Sequence, residues 1–369
     1  MLITGHTGFK GAWLTQWLLK LGAEVVGFSD VHTTTPSLVD LLGLRSQVHG
    51  LTGDICDLDS LVEVLDAQRP DFIFHLAAQA FVRQSYQQPW QTMAVNAQGT
   101  VNVLEAMRLV GAPCVAVFVT TDKCYHNREW HYGYREDDAL GGTDPYSASK
   151  AMAEIAIAAY RAAFFSQSGD KLPSIRVASA RAGNVIGGGD WTTDRILPDC
   201  MRWLSAGQPI AVRNPRSTRP WQHVLDAVAG YLTLADRLAR AQTAGEAHAA
   251  CSAFNFGPSA DSNRSVEELV EEIFKHWPGT WLRSSDPSAP PESRLLALCS
   301  DKARQVLGWR GLWDFAVAVQ KTVEWYRQVA QGAGPVDVTL EQIRQYEMTL
   351  AAQSSSNSPS HNQPSSNQP

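Results

Sequence analysis

Three glycines set three residues apart, Gly5, Gly8 and Gly11, stand between an apolar run at residues 1–4 and an amphipathic stretch at residues 11–21. A strand that turns at once into a helix through glycine lets backbone approach a bound phosphate closely. It also aims the helix's first amides and its positive end at that phosphate. The turn therefore predicts the opening β-α unit of a dinucleotide-binding fold, with Gly5, Thr7, Gly8, Phe9, Lys10 and Gly11 lining the cofactor.

The rest of the first half keeps the alternation going. Apolar runs at residues 24–28, 72–76, 114–120 and 175–180 read as strands, and helical periodicity covers residues 58–68, 97–110 and 146–164. Such alternation implies parallel pairing through right-handed crossovers, so the expected class is α/β: a Rossmann-type doubly wound parallel sheet. Beyond Gly183 the pattern loosens into loops rich in Gly, Asp, Arg and Pro at residues 187–195 and 213–222, with helices near 197–205, 224–240, 266–275 and 312–331. This predicts a smaller mixed α/β substrate-binding region over the strand ends, where such sheets bind ligands. The expected organisation is a cofactor domain at residues 1–183, a substrate region interleaved with the sheet at 184–350, and a Ser-, Asn-, Gln- and Pro-rich disordered tail at 352–369. Only four residues precede Gly5, so either the first strand is weak or the natural chain starts further upstream.

Charge and cysteine usage narrow the class. A net charge of −6 over 369 residues argues against a nucleic-acid binder, and no apolar run is long enough to span a bilayer. Six cysteines lie scattered without paired or zinc-type spacing, and no targeting segment is visible. A cytoplasmic protein without a metal site is expected. Most of the twelve tryptophans are better assigned to core packing than to ligand stacking.

Chemistry concentrates in Asp144-Pro145-Tyr146-Ser147-Ala148-Ser149-Lys150. Asp144 is suited to cap a helix with Pro145 in its first turn, which puts Tyr146 and Lys150 four residues apart on one face. An ammonium beside a phenol favours the phenolate, so Tyr146 is expected to act as a base near neutral pH. Asp30, after the second strand, is placed to hold the adenosine ribose, which favours NAD over its 2′-phosphorylated form. Asp54 and Ile55 are expected near the adenine, and Leu76, Ala77 and Ala78 leave room for the dinucleotide. Asn96, which starts the helix at 97–110, is expected at the cofactor too, as are Tyr146 and Lys150.

Longer strings go further. Thr4 to Gly11, Thr121-Asp122-Lys123-Cys124-Tyr125, Gly133 to Asp138, Asp144 to Lys150, Arg181 to Trp191, Arg219-Pro220-Trp221-Gln222-His223-Val224 and Asn255-Phe256-Gly257-Pro258 together resemble the extended short-chain dehydrogenase/reductase superfamily. Within it they resemble the cytidine-linked nucleotide-sugar 4,6-dehydratases, over residues 1–325. The resemblance implies an NAD-dependent lyase of deoxysugar biosynthesis, with CDP-glucose as substrate and a homodimer or dimer of dimers as the assembly. It implies that Tyr146 takes the C4 hydroxyl proton, that Lys150 keeps Tyr146 ionised, and that Thr121 steadies the new carbonyl. Asp122 then protonates the leaving C6 hydroxyl and Lys123 removes the C5 proton. Asn184, Arg195, Arg213, Arg219 and His223 are the expected substrate ligands. Alternatives are a UDP-hexose 4-epimerase, a dehydratase of another nucleotide sugar, or an NAD-sensing protein on a retired reductase fold. The Asp122-Lys123 pair disfavours an epimerase, and retention of both Tyr146 and Lys150 disfavours a sensor.

Overall fold

Seven parallel strands form the central sheet of the computed structural model, which describes residues 1–30, 34–166, 171–284 and 294–356. They are β1 (Leu2–Thr4), β2 (Val26–Ser29), β3 (His49–Thr52), β4 (Phe72–His75), β5 (Cys114–Val119), β6 (Ile175–Ala182) and β7 (Ala253–Phe256). Their order, β3-β2-β1-β4-β5-β6-β7, is doubly wound and reverses direction between β1 and β4. A crevice opens beyond the carboxyl ends of the strands at such a reversal, which is where these sheets take ligands. β1 is short but central: all three residues pair with β2 on one side and β4 on the other. β7 lies beyond residue 183 and pairs with β6.

Strand periodicity sorts the core into two layers. Along β5, Val115, Val117 and Val119 face one layer while Ala116 and Phe118 face the other. The second layer is closed by α2 (Leu58–Gln68), α3 (Gly99–Val110) and α4 (Pro145–Tyr160), through Leu61, Leu65, Val103 and Ile157. The first is closed by α1 (Phe9–Lys20) and α5 (Val224–Arg240), through Trp13, Leu14, Val228 and Leu234. Trp13 is fully buried and donates its indole N–H to the Gly188 carbonyl at 2.9 Å, tying α1 to the loop after β6.

Two elements depart from expectation. β3 is an edge strand with mostly exposed residues and no apolar alternation, so periodicity gave no sign of it. At the other end, α6 (Phe315–Ala330) is followed by a long helix, α7 (Pro335–Ser356). The segment expected as a tail from residue 352 is thus helical to Ser356, and residues 357–369 lie outside the described residues. Val338, Ile343 and Tyr346 bury one face of α7, while Glu347 accepts from the Trp17 indole at 2.9 Å and pairs with Lys20 at 2.5 Å. Among the described residues no helix is long and apolar enough to cross a membrane.

Asp226 of α5 couples this C-terminal packing to pH. Its Oδ1 accepts from the Leu312 amide at 2.6 Å and the Tyr346 hydroxyl at 2.8 Å, and burial pushes the carboxyl up to about 7. The folded chain therefore holds this proton more tightly than the unfolded chain. The stabilisation is complete below the ordinary carboxylate range and is lost as pH rises through about 7. Asp226→Asn keeps the acceptor and has no charge to bury. Thermal unfolding at pH 8 should show the variant stabilised by roughly 1–3 kcal/mol, after the cost of an unpaired amide. The difference should narrow at pH 5.

Candidate active site

The cofactor cradle is built by the glycine turn. Gly5 has φ +75°, and a side chain there would run into the backbone of Ala77, with its Cβ 2.6 Å from the Ala77 nitrogen. A side chain at Gly11 would strike the Gly5 carbonyl. Gly8 is different: a Cβ there would meet only the Gly5 carbonyl, at 3.4 Å, so its outer side is clear for a ligand. Gly8 is also the N-cap of α1, with no side chain to satisfy the first amides and no acid in the first turn. The residues thus fit a dinucleotide pyrophosphate, held by backbone amides at a positive helix end.

The other expected cofactor residues line the same edge. Thr7 is half-buried in the turn, and the Phe9 ring packs beside Gly187 and Val224. Asp30 is exposed at the end of β2, just after Ser29, whose hydroxyl bonds His6 at 2.8 Å. Asp54 is exposed, with one oxygen taken by the Cys56 amide at 2.8 Å. Ile55 is buried against Gly99 and accepts from the Asn102 amide at 3.0 Å. Leu76, Ala77 and Ala78 run half-buried beyond β4.

Asn96 does not cap α3. It sits in a π-turn, Ala94–Gln98, that joins the helix Pro89–Met93 to α3. Its amide donates to the Gln79 carbonyl and to the Ser149 hydroxyl, both at 2.9 Å, and its oxygen accepts from the Gln79 amide at 2.8 Å. It therefore fastens the loop after β4 to α4. Sequence reasoning also missed His75, which bridges the Thr4 and Thr100 hydroxyls at 2.7 and 3.2 Å beneath this loop. Burial first, then Lys150, brings its pKa down to about 3, so it stays neutral.

α4 begins as the sequence predicted. Asp144 accepts from the Ser147 amide at 2.9 Å and from its hydroxyl at 2.6 Å, and Pro145 occupies the first turn. Tyr146 and Lys150 follow, both buried. At the end of β5, Thr121 caps a 3-10 turn, Asp122–Cys124, accepting from the Lys123 amide at 3.3 Å and donating to Asp122 Oδ1 at 3.1 Å. Its hydroxyl also faces Tyr146 and draws that phenol's pKa down. Asp122 Oδ2 is buried without a protein partner, and the absence of a side chain at Gly183 leaves it room. Lys123 is half-exposed beside it. The structure thus assembles Thr121, Asp122, Lys123, Tyr146 and Lys150 from two elements.

The electrostatics correct one expectation. Burial raises Tyr146 to about 12; Thr121 and Arg195 pull it down, while Asp122 and Asp144 push it up. Lys150, also buried, falls to about 8 against the opposing pull of Glu154 and Cys124. In the free protein burial is the largest influence on Tyr146, and it favours the neutral phenol. Behind Lys150, Glu154 and Arg181 form a buried ion pair at 2.8 Å, joined by the Thr120 and Ser179 hydroxyls. Burial pushes the Glu154 carboxyl up, yet Arg181 and these hydrogen bonds hold it below its ordinary value. Arg181 in turn donates to Tyr125, which donates to Asn255, so the quoted motifs meet in one network.

Lys10 turns from the turn toward the reaction centre. Its ammonium lies 3.5 Å from the buried Tyr231 hydroxyl; burial, then Arg195 and Lys150, lowers it to about 7 against the pull of Asp122. Its side chain thus points to Tyr231 and toward the charges of Lys150 and Asp122; its expected role was at the cofactor phosphates. His223 is a second correction. It is fully buried between Trp13 and Trp313, caps α5 through the Leu225 amide at 3.2 Å, and serves packing instead of substrate. Asn184 is half-buried just past β6, Arg195 pairs with Asp190 at 3.2 Å, and Arg213 with Asp194 at 3.3 Å. Arg219 is buried and donates to the Thr218 carbonyl at 2.7 Å.

Thr121, Asp122, Tyr146 and Lys150 thus meet near the glycine turn at the carboxyl ends of the strands. The chain belongs to the family described as GDP-mannose 4,6 dehydratase, whose model matches residues 2–322. The CDP-glucose 4,6-dehydratase of Salmonella typhimurium is 39% identical over 348 residues, covering 94% of this chain and 95% of that protein. The UDP-glucose 4-epimerase of Mycolicibacterium smegmatis is 28% identical, covering 89% of this chain and 99% of its own length. Among solved structures, DesIV, a dTDP-glucose 4,6-dehydratase from Streptomyces venezuelae with NAD and TYD bound, superposes with a TM-score of 0.75. It has 22% identity and covers 91% of this chain and 99% of its own.

Proposed function

We propose that the chain is an NAD-dependent hydro-lyase, a nucleotide-sugar 4,6-dehydratase converting CDP-glucose to CDP-4-keto-6-deoxyglucose. The observation that carries this reading is the buried Asp122 carboxyl, with one oxygen unpartnered, beside Tyr146 and followed directly by Lys123. The uncapped start of α1 and Gly8 would hold the pyrophosphate of NAD, Asp30 its adenosine ribose, and Asp54 with Ile55 its adenine. When bound, NAD would supply the reversible hydride chemistry at C4 and C6, and its positive charge would favour the Tyr146 anion.

The protein's own groups handle the protons. Tyr146 removes the C4 hydroxyl proton, Lys150 supports its anion, and Thr121 donates to the forming carbonyl oxygen. Asp122 gives a proton to the departing C6 hydroxyl, and Lys123 takes the one at C5, which the 4-keto group has acidified. Asn184, Arg195, Arg213 and Arg219 bind the nucleotide sugar. A 4-epimerase returns hydride to C4 and has no use for the Asp122-Lys123 pair.

Incubation with NAD and CDP-glucose, followed by alkali, should produce the ultraviolet chromophore of a 4-keto sugar. A signal only from dTDP-, UDP- or GDP-glucose would move the substrate assignment. No signal from any of the four would remove the reading.

We read the enzyme as a cytoplasmic homodimer or dimer of dimers. Met152 and Ile155 on α4, Leu109 on α3 and Trp90 are exposed apolar side chains, and Trp90 is 84% exposed. All six cysteines are free, as a reducing compartment would leave them. Light scattering should report at least twice the chain mass of 40.4 kDa. A monomer would contradict this assignment.

A further inference from the structure

Two arginines from distant parts of the chain reach one carboxylate. Arg83, in the helix Val82–Gln87, and Arg213, just after the strand Ile210–Val212, approach Asp194 Oδ1 at 3.5 and 3.3 Å. Asp194 is 55% exposed and holds φ at +61°, a left-handed conformation that aspartate adopts more readily than most residues. The next residue, Arg195, lies over the Phe81 ring, and its charge is felt at both Tyr146 and Lys10. The arginine pair therefore borders the catalytic groups.

We propose that Arg83 and Arg213 form a diphosphate subsite, and that Asp194 is its built-in occupant, displaced when the nucleotide diphosphate arrives. The proposal rests on the reading of Arg213 as a substrate ligand and adds Arg83 and Asp194 to it. Two convergent guanidinium groups match a diphosphate better than a single carboxylate, because each presents a planar fork of donors. An exposed ion pair is weak. Asp194 thus keeps two like charges close together in the free enzyme and yields readily to a more highly charged ligand. No bond is made or broken in this exchange.

Calorimetric titration of the full chain with CDP tests the proposal. Asp194→Asn removes the charge but keeps a side chain well tolerated at this φ, so CDP should bind roughly threefold more tightly. Arg83→Gln should weaken binding by about tenfold or more. Adding Asp194→Asn to Arg83→Gln should gain less than it does alone. Unchanged or weaker CDP binding by Asp194→Asn overturns the proposal, as does parent-like binding by a folded Arg83→Gln. Should Arg83→Gln fail to fold, Arg83→Lys replaces it, with a smaller loss expected because the charge stays and the fork is gone. Parallel titrations with UDP, dTDP and GDP separate the two readings. If the parent prefers another nucleotide, the cytidine assignment falls; the same ranking of variants on that nucleotide upholds the subsite.

Discussion

Tyr146→Phe should lower turnover of CDP-glucose by about three orders of magnitude, the usual consequence of removing a positioned acid–base group. The ring stays in its buried place, and only the hydroxyl is lost. The proton on the C4 oxygen then has nowhere to go. No reduced-nicotinamide absorbance should grow when substrate meets the loaded enzyme, while calorimetric binding of CDP should change only a few-fold. A variant that still builds up the reduced form would show that another group takes the proton. Lys10, lowered to about 7 beside Tyr231, would be the first to examine.

Asp122→Asn should lower product formation by about 10²- to 10³-fold, for a different reason. Oxidation at C4 needs only Tyr146, Lys150 and Thr121, so the reduced-nicotinamide signal should still appear and now persist. Elimination stalls because the departing C6 hydroxyl receives no proton. Asp122 Oδ1 is held by Thr121 and Oδ2 is the oxygen without a partner, so the amide keeps the geometry and loses the proton. Failure to form the signal at all would place Asp122 in the oxidation step and contradict the division of roles.

The parts of this site that were legible in the sequence are those set by local rules. Gly5, Gly8 and Gly11 declared themselves because their spacing meets a backbone demand, and the Asp144 cap fixed the register that pairs Tyr146 with Lys150. What stayed hidden depends on contacts between distant residues. Lys10 looks like a phosphate contact until α5 brings Tyr231 beside it, 221 positions away in the sequence. Asn96 reads as a cap because nothing local shows the Gln79 and Ser149 groups that claim its amide. His223 looks like a ligand until Trp13 and Trp313 enclose it. The ionisation of Tyr146 was misjudged for a related reason: a neighbouring lysine is visible in sequence, but the depth of burial is not. α7 carries a weak sign in Val338, Ile343 and Tyr346, yet its partners Trp17 and Lys20 lie at the opposite end of the chain.

The most direct measurement uses CDP-glucose carrying deuterium at C4, with NAD-loaded enzyme and mass and NMR analysis of the sugar product. Tyr146 and the Asp122-Lys123 pair acting in sequence require the label to arrive at C6 of a 4-keto product, carried there within one active site. Label returned to C4, or released with free reduced cofactor, would mean that the chain runs an epimerisation or a plain oxidation and that its acid–base pair has no part in eliminating water.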